Sequence, residues 1–204
     1  MKKKIKKKLI KVAIDSPAAA GAGTVAKLIS KEYKLFYLDT GKIYRFIANL
    51  NFSKQEKYNF QNIKKNIKKL RPKDLNDKRL LSEKVASEAG IVSKKKSVRN
   101  LVHKFQINYA YNPPKRFRGS CLDGRDITYK IIPDADFKFY ITANVRTRAY
   151  RRYKELKTLN RKITFSEVLK SIKKRDNSDF NRKISPLKKT KDSLLINTTN
   201  LNKR

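Results

Sequence analysis

Residues 14–24, with the sequence IDSPAAAGAGT, constrain the fold more than any other part of the chain. The preceding LIKVAID alternates as a buried strand does, and the following GTVAKLISKEY places Val25, Leu28, Ile29 and Glu32 at helical spacing. In a phosphate-binding loop, backbone N–H groups between a strand and a helix N-terminus point at one phosphate group. This segment therefore predicts an α/β fold with an anion site after the first strand.

The loop departs from the usual phosphate-binding pattern, which is Gly, four residues, Gly, Lys, and then Ser, Thr or one more Gly. Ser16 stands at the first glycine and Ala22 at the lysine. Gly21, Gly23 and Thr24 keep the backbone freedom and a hydroxyl for Mg²⁺. Losing one such electrostatic contact costs about 3 kcal/mol, or about a hundredfold in rate, unless another group replaces it. On its own the loop is either an ATP site or a small-residue turn of an unrelated fold.

The charge of the chain raises a second hypothesis. A net charge of +36 on 204 residues suggests a nucleic-acid partner. Lys, Ile, Asn, Phe and Tyr share A+T-rich codons, however, so genome composition also accounts for many of the lysines. The runs KKKIKKK, IKKNIKK and SKKKS contain no aromatic residue that could stack on a base. We therefore expect no specific nucleic-acid partner.

Composition also limits the location of the protein and its domain count. The length suits a single domain. No apolar run approaches the roughly 18 residues that a membrane span needs. Cys121 is the only cysteine in the sequence, which agrees with a reducing compartment. The sequence predicts a cytoplasmic protein that does not bind membranes.

Short apolar runs alternate with helical patterns along the chain, and this alternation predicts a parallel sheet with helices. The predicted strands are 9–15, 35–41, 120–126, 136–143 and 193–199. The predicted later helices are 42–52, 80–89, 97–111, 145–160 and 166–175, the last opened by a capping box of Thr164 and Glu167. Residues 52–80 are polar and rich in lysine, and we expect them to form a peripheral lobe outside the core.

Arginine and aspartate recur where the predicted strands end, which is where ligands bind in such sheets. DTGKIYR and DGRD follow two strands, and RDNSDFNR places arginines and an aspartate on one helix face. Phosphoryl transfer needs positioning and charge neutralisation more than a protein nucleophile, which fits a chain that offers arginines and no His or Cys dyad. The residues are Arg45, Arg125, Asp126, Arg175, Asp179 and Arg182.

With the loop, these motifs resemble bacterial cytidylate kinases, which phosphorylate CMP and dCMP with ATP. The resemblance runs in order over about residues 11–199. It implies a monomeric nucleoside monophosphate kinase fold, with a parallel five-stranded sheet flanked by helices, a reduced NMP-binding insert and a helical lid. In the single domain 1–204 it implies a core of 9–45, 85–145 and 185–204, an insert of about 46–84 and a lid of about 146–184.

The resemblance also implies roles for individual residues. It implies phosphate contacts for Arg45, Arg125 and Arg182, cytosine recognition for Arg99 and Asp126, and ribose contacts for Arg175 and Asp179. Thr40 joins the implied substrate-binding set, Thr24 is the implied Mg²⁺ ligand, and the implied catalytic residues are Arg125, Arg182 and Arg151. The residues implied to bind ATP are Ser16, Pro17, Ala18, Ala19, Ala20, Gly21, Ala22, Gly23 and Thr24.

Three hypotheses remain at the level of sequence. The first is an active (d)CMP kinase in which another cation replaces the lysine missing at Ala22. The second is a nucleotide-binding protein without catalysis, and the third is a basic RNA-binding protein on a kinase scaffold. Gly90 stands where the family typically has a serine that contacts the base, so cytosine selectivity would rest on Arg99 and Asp126. The candidate replacement cations are Arg148, Arg151, Arg152, Lys27 and Lys42.

Overall fold

A sheet of five parallel strands forms the centre of the fold, as the computed structural model shows. The strands pair in the spatial order β2-β3-β1-β4-β5, with β1 in the middle. This arrangement confirms the predicted α/β fold class and all five predicted strands. The strands are β1 (Ile10–Asp15), β2 (Phe36–Asp39), β3 (Gly119–Gly124), β4 (Phe137–Thr142) and β5 (Leu194–Asn197).

Seven α-helices surround the sheet within residues 8–53, 59–158 and 162–201, the part of the chain that the structure describes. Two 3-10 turns, Pro72–Asn76 and Lys78–Leu81, precede α4, and one π-helical turn, Ile127–Ile131, follows β3. The basic run at residues 1–7 and short parts of the predicted insert, lid and C-terminal core lie outside the described residues. The helices are α1 (Ala22–Glu32), α2 (Thr40–Ser53), α3 (Phe60–Lys69), α4 (Glu83–Val92), α5 (Lys96–Tyr111), α6 (Val145–Lys157) and α7 (Phe165–Asn181).

Helix boundaries follow local chemistry. The Thr164 side chain accepts a hydrogen bond from the Glu167 amide while the Glu167 carboxylate accepts one from the Thr164 amide, so the predicted capping box opens α7. Helix α5 ends at Tyr111, just before the paired prolines at 113 and 114. No helix in the described part of the chain is long and apolar enough to cross a membrane.

Apolar side chains cover both faces of the sheet, as parallel sheets require. Because side chains alternate along a strand, β1 contributes Ala13 to one face and Val12 and Ile14 to the other. The cluster that contains Ala13 packs against α2, α3 and α5. The cluster that contains Val12 and Ile14 packs against α1.

The helix predicted after the loop is confirmed as α1, and the structure decides which of its faces is buried. The structure buries Ala22, Ala26 and Ser30, whereas Leu28 is 62% exposed. Small side chains allow a helix to lie close to the sheet, and the larger Leu28 then faces away from it. The helical spacing of Val25, Leu28 and Ile29 does not identify this buried face, because spacing carries no information about how close the helix comes to the strands.

The prediction that residues 52–80 lie outside the core is wrong for their described part. Ile63 and Ile67 of α3 are buried in the same cluster as Leu122 of β3, and Leu70 and Leu75 join them. The two isoleucines are four residues apart and therefore share one helix face. Lysines on the rest of α3 lower its average hydrophobicity and conceal this narrow apolar stripe.

We predict that Ile63→Ala lowers the free energy of unfolding by about 2–5 kcal/mol, because Ile63 is 1% exposed and truncation leaves a cavity. Ile91→Ala is the matched control, since Ile91 is 55% exposed, and we expect a change of at most about 0.5 kcal/mol. Urea titration of both variants measures the difference. Equal effects would contradict the inclusion of α3 in the core.

Candidate active site

The phosphate loop, residues 16–24, lies between the carboxyl end of β1 and the start of α1. Gly21 is the N-cap of α1 with a left-handed φ of 89°, and no side chain caps the helix there. The first amides of the helix are thus placed to bind an anion. Ala19 also has a left-handed φ, 59°, which costs an alanine roughly 1–2 kcal/mol. This backbone is typical of a phosphate site even though two of its usual residues are absent.

Two side chains from other elements hold the loop carbonyls. Arg148 of α6 donates to the Ala18 carbonyl oxygen over 3.1 Å and forms an ion pair with Asp176 of α7 at 2.5 Å. The Thr198 hydroxyl, after β5, donates to the Ala20 carbonyl oxygen over 2.7 Å. Arg148 is buried and committed to these acceptors, so it supports the loop backbone rather than supplying a free cation to it.

Asp15, at the end of β1, ties the loop region to the turn after β3. Its buried carboxylate accepts hydrogen bonds from the amides of Ile127 and Thr128 and from the Thr128 hydroxyl. Burial raises the pKa of Asp15 to about 6, although the hydrogen bonds from Thr128 and Ile127 act in the opposite direction. The carboxylate therefore fixes the start of the π-helical turn that follows the DGRD motif.

Two carboxylates lie side by side at the ends of β2 and β3, and one of them is beside the first turn of α1. Asp39 and Asp123 are opposite each other in the β2–β3 register, and an Asp123 oxygen is 3.6 Å from where a Cβ on Gly23 would lie. Burial, and then the charge of Asp39, raise the pKa of Asp123 well above its ordinary value. Hard oxygen ligands next to Thr24 fit Mg²⁺, whose charge would relieve this repulsion. Sequence analysis assigned these aspartates no role, although their place at two strand ends was a usable signal.

Asp179 of α7 lies within 4.0 Å of three of the arginines predicted to bind the substrate. Its carboxylate lies 2.7 Å from Arg125 Nε, 3.5 Å from Arg182 Nη1 and 4.0 Å from Arg175 Nε. Arg182 Nη2 is buried without a hydrogen-bond partner among the described residues. A buried guanidinium N–H without an acceptor is costly, so this position favours an anionic ligand.

Arg99 and Asp126, predicted to recognise the base, form a buried ion pair. Arg99 Nη2 lies 2.5 Å from the Asp126 carboxylate, and Arg99 Nη1 donates to the Ser93 carbonyl oxygen over 3.1 Å. The guanidinium also lies 5.7 Å from the centre of the Tyr44 ring. A Cβ on Gly90 would meet no atom within 4 Å, so a serine would fit there without displacing a neighbour.

Arg45 and Thr40, which were also predicted to bind the substrate, differ in their surroundings. Arg45 lines a cavity of about 150 Å³ together with Ala18, Arg152 and Arg175, next to the phosphate loop. The Thr40 hydroxyl instead donates to the Asp123 carbonyl oxygen over 2.7 Å and joins α2 to β3. In the ligand-free structure the Thr40 hydroxyl thus stabilises the packing of α2 against β3.

Arg151 lies on the opposite side of the loop, near the end of β5. It donates to the hydroxyl and carbonyl oxygens of Thr198, and its Nη1 is 3.7 Å from where a Cβ on Gly21 would lie. Of the two lysines considered as replacement cations, Lys27 is exposed on α1 and Lys42 is half-buried on α2. The arginines that face the loop are thus closer candidates than Lys27.

Comparison with known proteins agrees with this geometry. The family model for cytidylate kinase matches residues 12–204. This chain belongs to the cytidylate kinase family. It is 39% identical over 201 residues to the cytidylate kinase of Thermosipho melanesiensis, covering 94% of this chain and 90% of that protein. It is 34% identical over 207 residues to that of Mesomycoplasma hyopneumoniae strain 7448, covering 95% and 88%. It is 39% identical over 200 residues to that of Clostridium tetani, covering 93% and 86%.

The pKa of Asp15 predicts a pH dependence of stability. Between about pH 4 and pH 6 the folded protein keeps a proton that the unfolded chain releases, because the pKa is raised on folding. The free energy of unfolding should therefore fall by about 3 kcal/mol as the pH rises through this window, and level off above it.

Denaturant titrations of the wild type and Asp15→Asn across pH 4–7 measure this dependence. The variant cannot ionise at this position, so its profile should lack the fall that the wild type shows. Glu32→Gln, at the exposed end of α1, separates this effect from general titration of surface carboxylates. Parallel profiles for wild type and Asp15→Asn would contradict the assignment.

Proposed function

We propose that this chain is an ATP-dependent (d)CMP kinase that transfers the γ-phosphoryl group of ATP to CMP or dCMP, giving ADP and CDP or dCDP. The observation that carries the proposal is the group of arginines around Asp179, beside an uncapped helix N-terminus that follows a small-residue loop. Such an arrangement binds two phosphorylated molecules close together at one sheet edge. Membership of the cytidylate kinase family supports the same activity.

The site residues divide between the two substrates. The phosphate loop and the α1 N-terminus bind the ATP phosphates through backbone N–H groups. Arg99 and Asp126 present a donor and an acceptor to the cytosine edge, and Arg175 and Asp179 contact the ribose. Arg45, Arg125 and Arg182 bind the CMP phosphate, and the buried free N–H groups of Arg182 support this assignment.

In the reaction, an oxygen of the CMP phosphate forms a bond to the γ-phosphorus of ATP, and the bond to the β–γ bridging oxygen breaks. Arg125, Arg182 and Arg151 neutralise the charge that develops on the transferring group. When bound, Mg²⁺ supplies further charge neutralisation, and Thr24, Asp39 and Asp123 would hold it directly or through water. Without a lysine at position 22, side chains outside the loop must provide the cationic contact.

The wider description of the protein belongs to the same proposal. We propose a cytoplasmic monomer that takes small-molecule nucleotides and has no specific nucleic-acid partner. Its kinase core comprises 9–45, 85–145 and 185–204, its insert about 46–84 and its lid about 146–184, and α3 of this insert packs into the hydrophobic cluster of the sheet. The contacts of α6 and α7 with the phosphate loop through Arg148 and Asp176 support the assignment of these helices to a lid.

ADP formation with ATP–Mg²⁺ and CMP, dCMP, UMP or AMP, for the wild type and Ala22→Lys, tests the activity. We expect turnover of the wild type with CMP and dCMP above UMP and AMP, because Arg99 and Asp126 select cytosine. Thermal unfolding accompanies each assay, since Ala22 is 5% exposed and lysine must fit there.

The other hypotheses give different results in the same assay. Turnover that requires Ala22→Lys would indicate a nucleotide-binding protein without catalysis. Absence of nucleotide dependence, together with salt-sensitive RNA binding in the nanomolar range, would contradict both kinase hypotheses.

The Arg99–Asp126 pair predicts how base selectivity can be removed. Asp126→Asn keeps the shape but removes the carboxylate that accepts from the cytosine amino group. We expect the KM for CMP to rise about tenfold or more and the preference for CMP over UMP to fall, with little change in the KM for ATP.

Asp192→Asn is the matched control, because Asp192 is exposed and pairs with Lys138 of β4. It should leave both KM values and the CMP preference unchanged. An equal loss of activity with CMP and UMP in Asp126→Asn would contradict a role in base recognition. Circular dichroism of both variants establishes that the comparison is between folded proteins.

A further inference from the structure

Glu83, the first residue of α4, joins three elements with one carboxylate. One oxygen lies 3.1 Å from Arg152 Nη2 of α6, and the other accepts a hydrogen bond from the Ser171 hydroxyl of α7 over 2.8 Å. Arg152 Nη2 also donates to the Leu81 carbonyl oxygen, just before α4. The end of the insert is thus bound to both lid helices at a single point.

The same carboxylate lies among arginines that face the phosphate loop. Glu83 lines the 150 Å³ cavity together with Arg45, Arg152 and Arg175, and Ala18 of the phosphate loop lines its other side. Burial lowers the pKa of Arg175 to about 10, and it also lowers the pKa of Arg45. The charges of neighbouring arginines lower both pKa values further. The charge of Glu83 acts to raise both pKa values. Glu83 therefore balances part of the positive charge of all three arginines.

The carboxylate is itself held in its charged form. Burial acts to raise the pKa of Glu83, but the hydrogen bond from Ser171 and the charge of Arg152 outweigh it, so the pKa lies below its ordinary value. Glu155 also contacts Arg152, at 3.4 Å, but it lies one turn along the same helix and its side chain is 65% exposed. Of the two carboxylates, Glu83 is therefore the one that links Arg152 to another part of the fold.

We propose that Glu83 is a positioning residue that pairs with Arg152 in the ligand-free protein and releases it when a nucleotide phosphate enters. This rests on the proposed function, because it assigns the incoming anion to the nucleotide. Because the lysine position of the loop is alanine, Arg152, which lines the cavity with Ala18, is one of the cations available to a phosphate there. Competition between carboxylate and phosphate for Arg152 then sets the nucleotide affinity and links phosphate binding to the separation of insert and lid.

Binding of inorganic pyrophosphate, measured by isothermal titration calorimetry, tests the competition directly. Glu83→Gln removes the competing charge and should tighten pyrophosphate binding about three- to tenfold, while it lowers the Tm of the ligand-free protein. Glu155→Gln makes the same charge change on the same arginine and should alter the affinity less than about twofold.

Ser171→Ala provides a second variant that keeps every charge. It removes only the hydrogen bond that orients Glu83, so pyrophosphate binding should tighten in the same direction by a smaller factor. Weaker or unchanged binding in Glu83→Gln, or equal tightening in Glu155→Gln, would overturn the proposal. If Glu83→Gln does not fold, weaker or unchanged binding in Ser171→Ala overturns it.

Pyrophosphate binding requires neither CMP nor turnover, which separates this proposal from the proposed function. A wild type without CMP-dependent ADP formation refutes the kinase activity, and the pyrophosphate series still decides the role of Glu83. An active wild type whose Glu83→Gln variant binds pyrophosphate no better than Glu155→Gln refutes only the role of Glu83.

Discussion

Repulsion among arginines at the carboxyl edge of the sheet is the constraint on which the site depends. Asp179 is surrounded by Arg125, Arg175 and Arg182. The cavity beside the phosphate loop is also lined by Arg45 and Arg152. Burial and these neighbours lower the pKa of Arg175 to about 10. Carboxylates such as Asp179 lie between the cations and reduce the repulsion among them. These carboxylates leave the buried Nη2 of Arg182 without a hydrogen-bond acceptor among the described residues, so an anion can still bind there. In the function proposed above, a phosphorylated ligand supplies the remaining negative charge.

The alanine at position 22 changes how the phosphate loop works. Its side chain packs with Ala20 and Ala26 in the cluster under α1, where a lysine would instead carry charge towards the phosphates. The backbone path through Ala19 and Gly21 is nevertheless that of an anion site. In the function proposed above, main-chain amides of the loop bind the phosphates, and arginines outside the loop neutralise the charge.

The sequence motifs predicted site residues, and the structure adds the contacts of those residues. Sequence reasoning placed Arg125, Asp126 and Asp179 where strands and helix faces converge, because charged motifs at strand ends are local features. It did not foresee that Arg148 is buried against the phosphate loop, or that Thr40 points its hydroxyl at a backbone carbonyl. Such outcomes depend on partners more than 80 residues away, which no local pattern contains.

The sequence by itself determined the alternation of strands and helices, the small-residue loop, the missing lysine and the Arg–Asp motifs, because each follows from residue type and spacing along a short segment. Only the tertiary structure decided that α3 packs into the hydrophobic cluster of the sheet, that Asp39 lies opposite Asp123, and that Glu83 joins α4 to α6 and α7. These features depend on which distant segments pack together, and packing is set by the shape and burial of the whole chain.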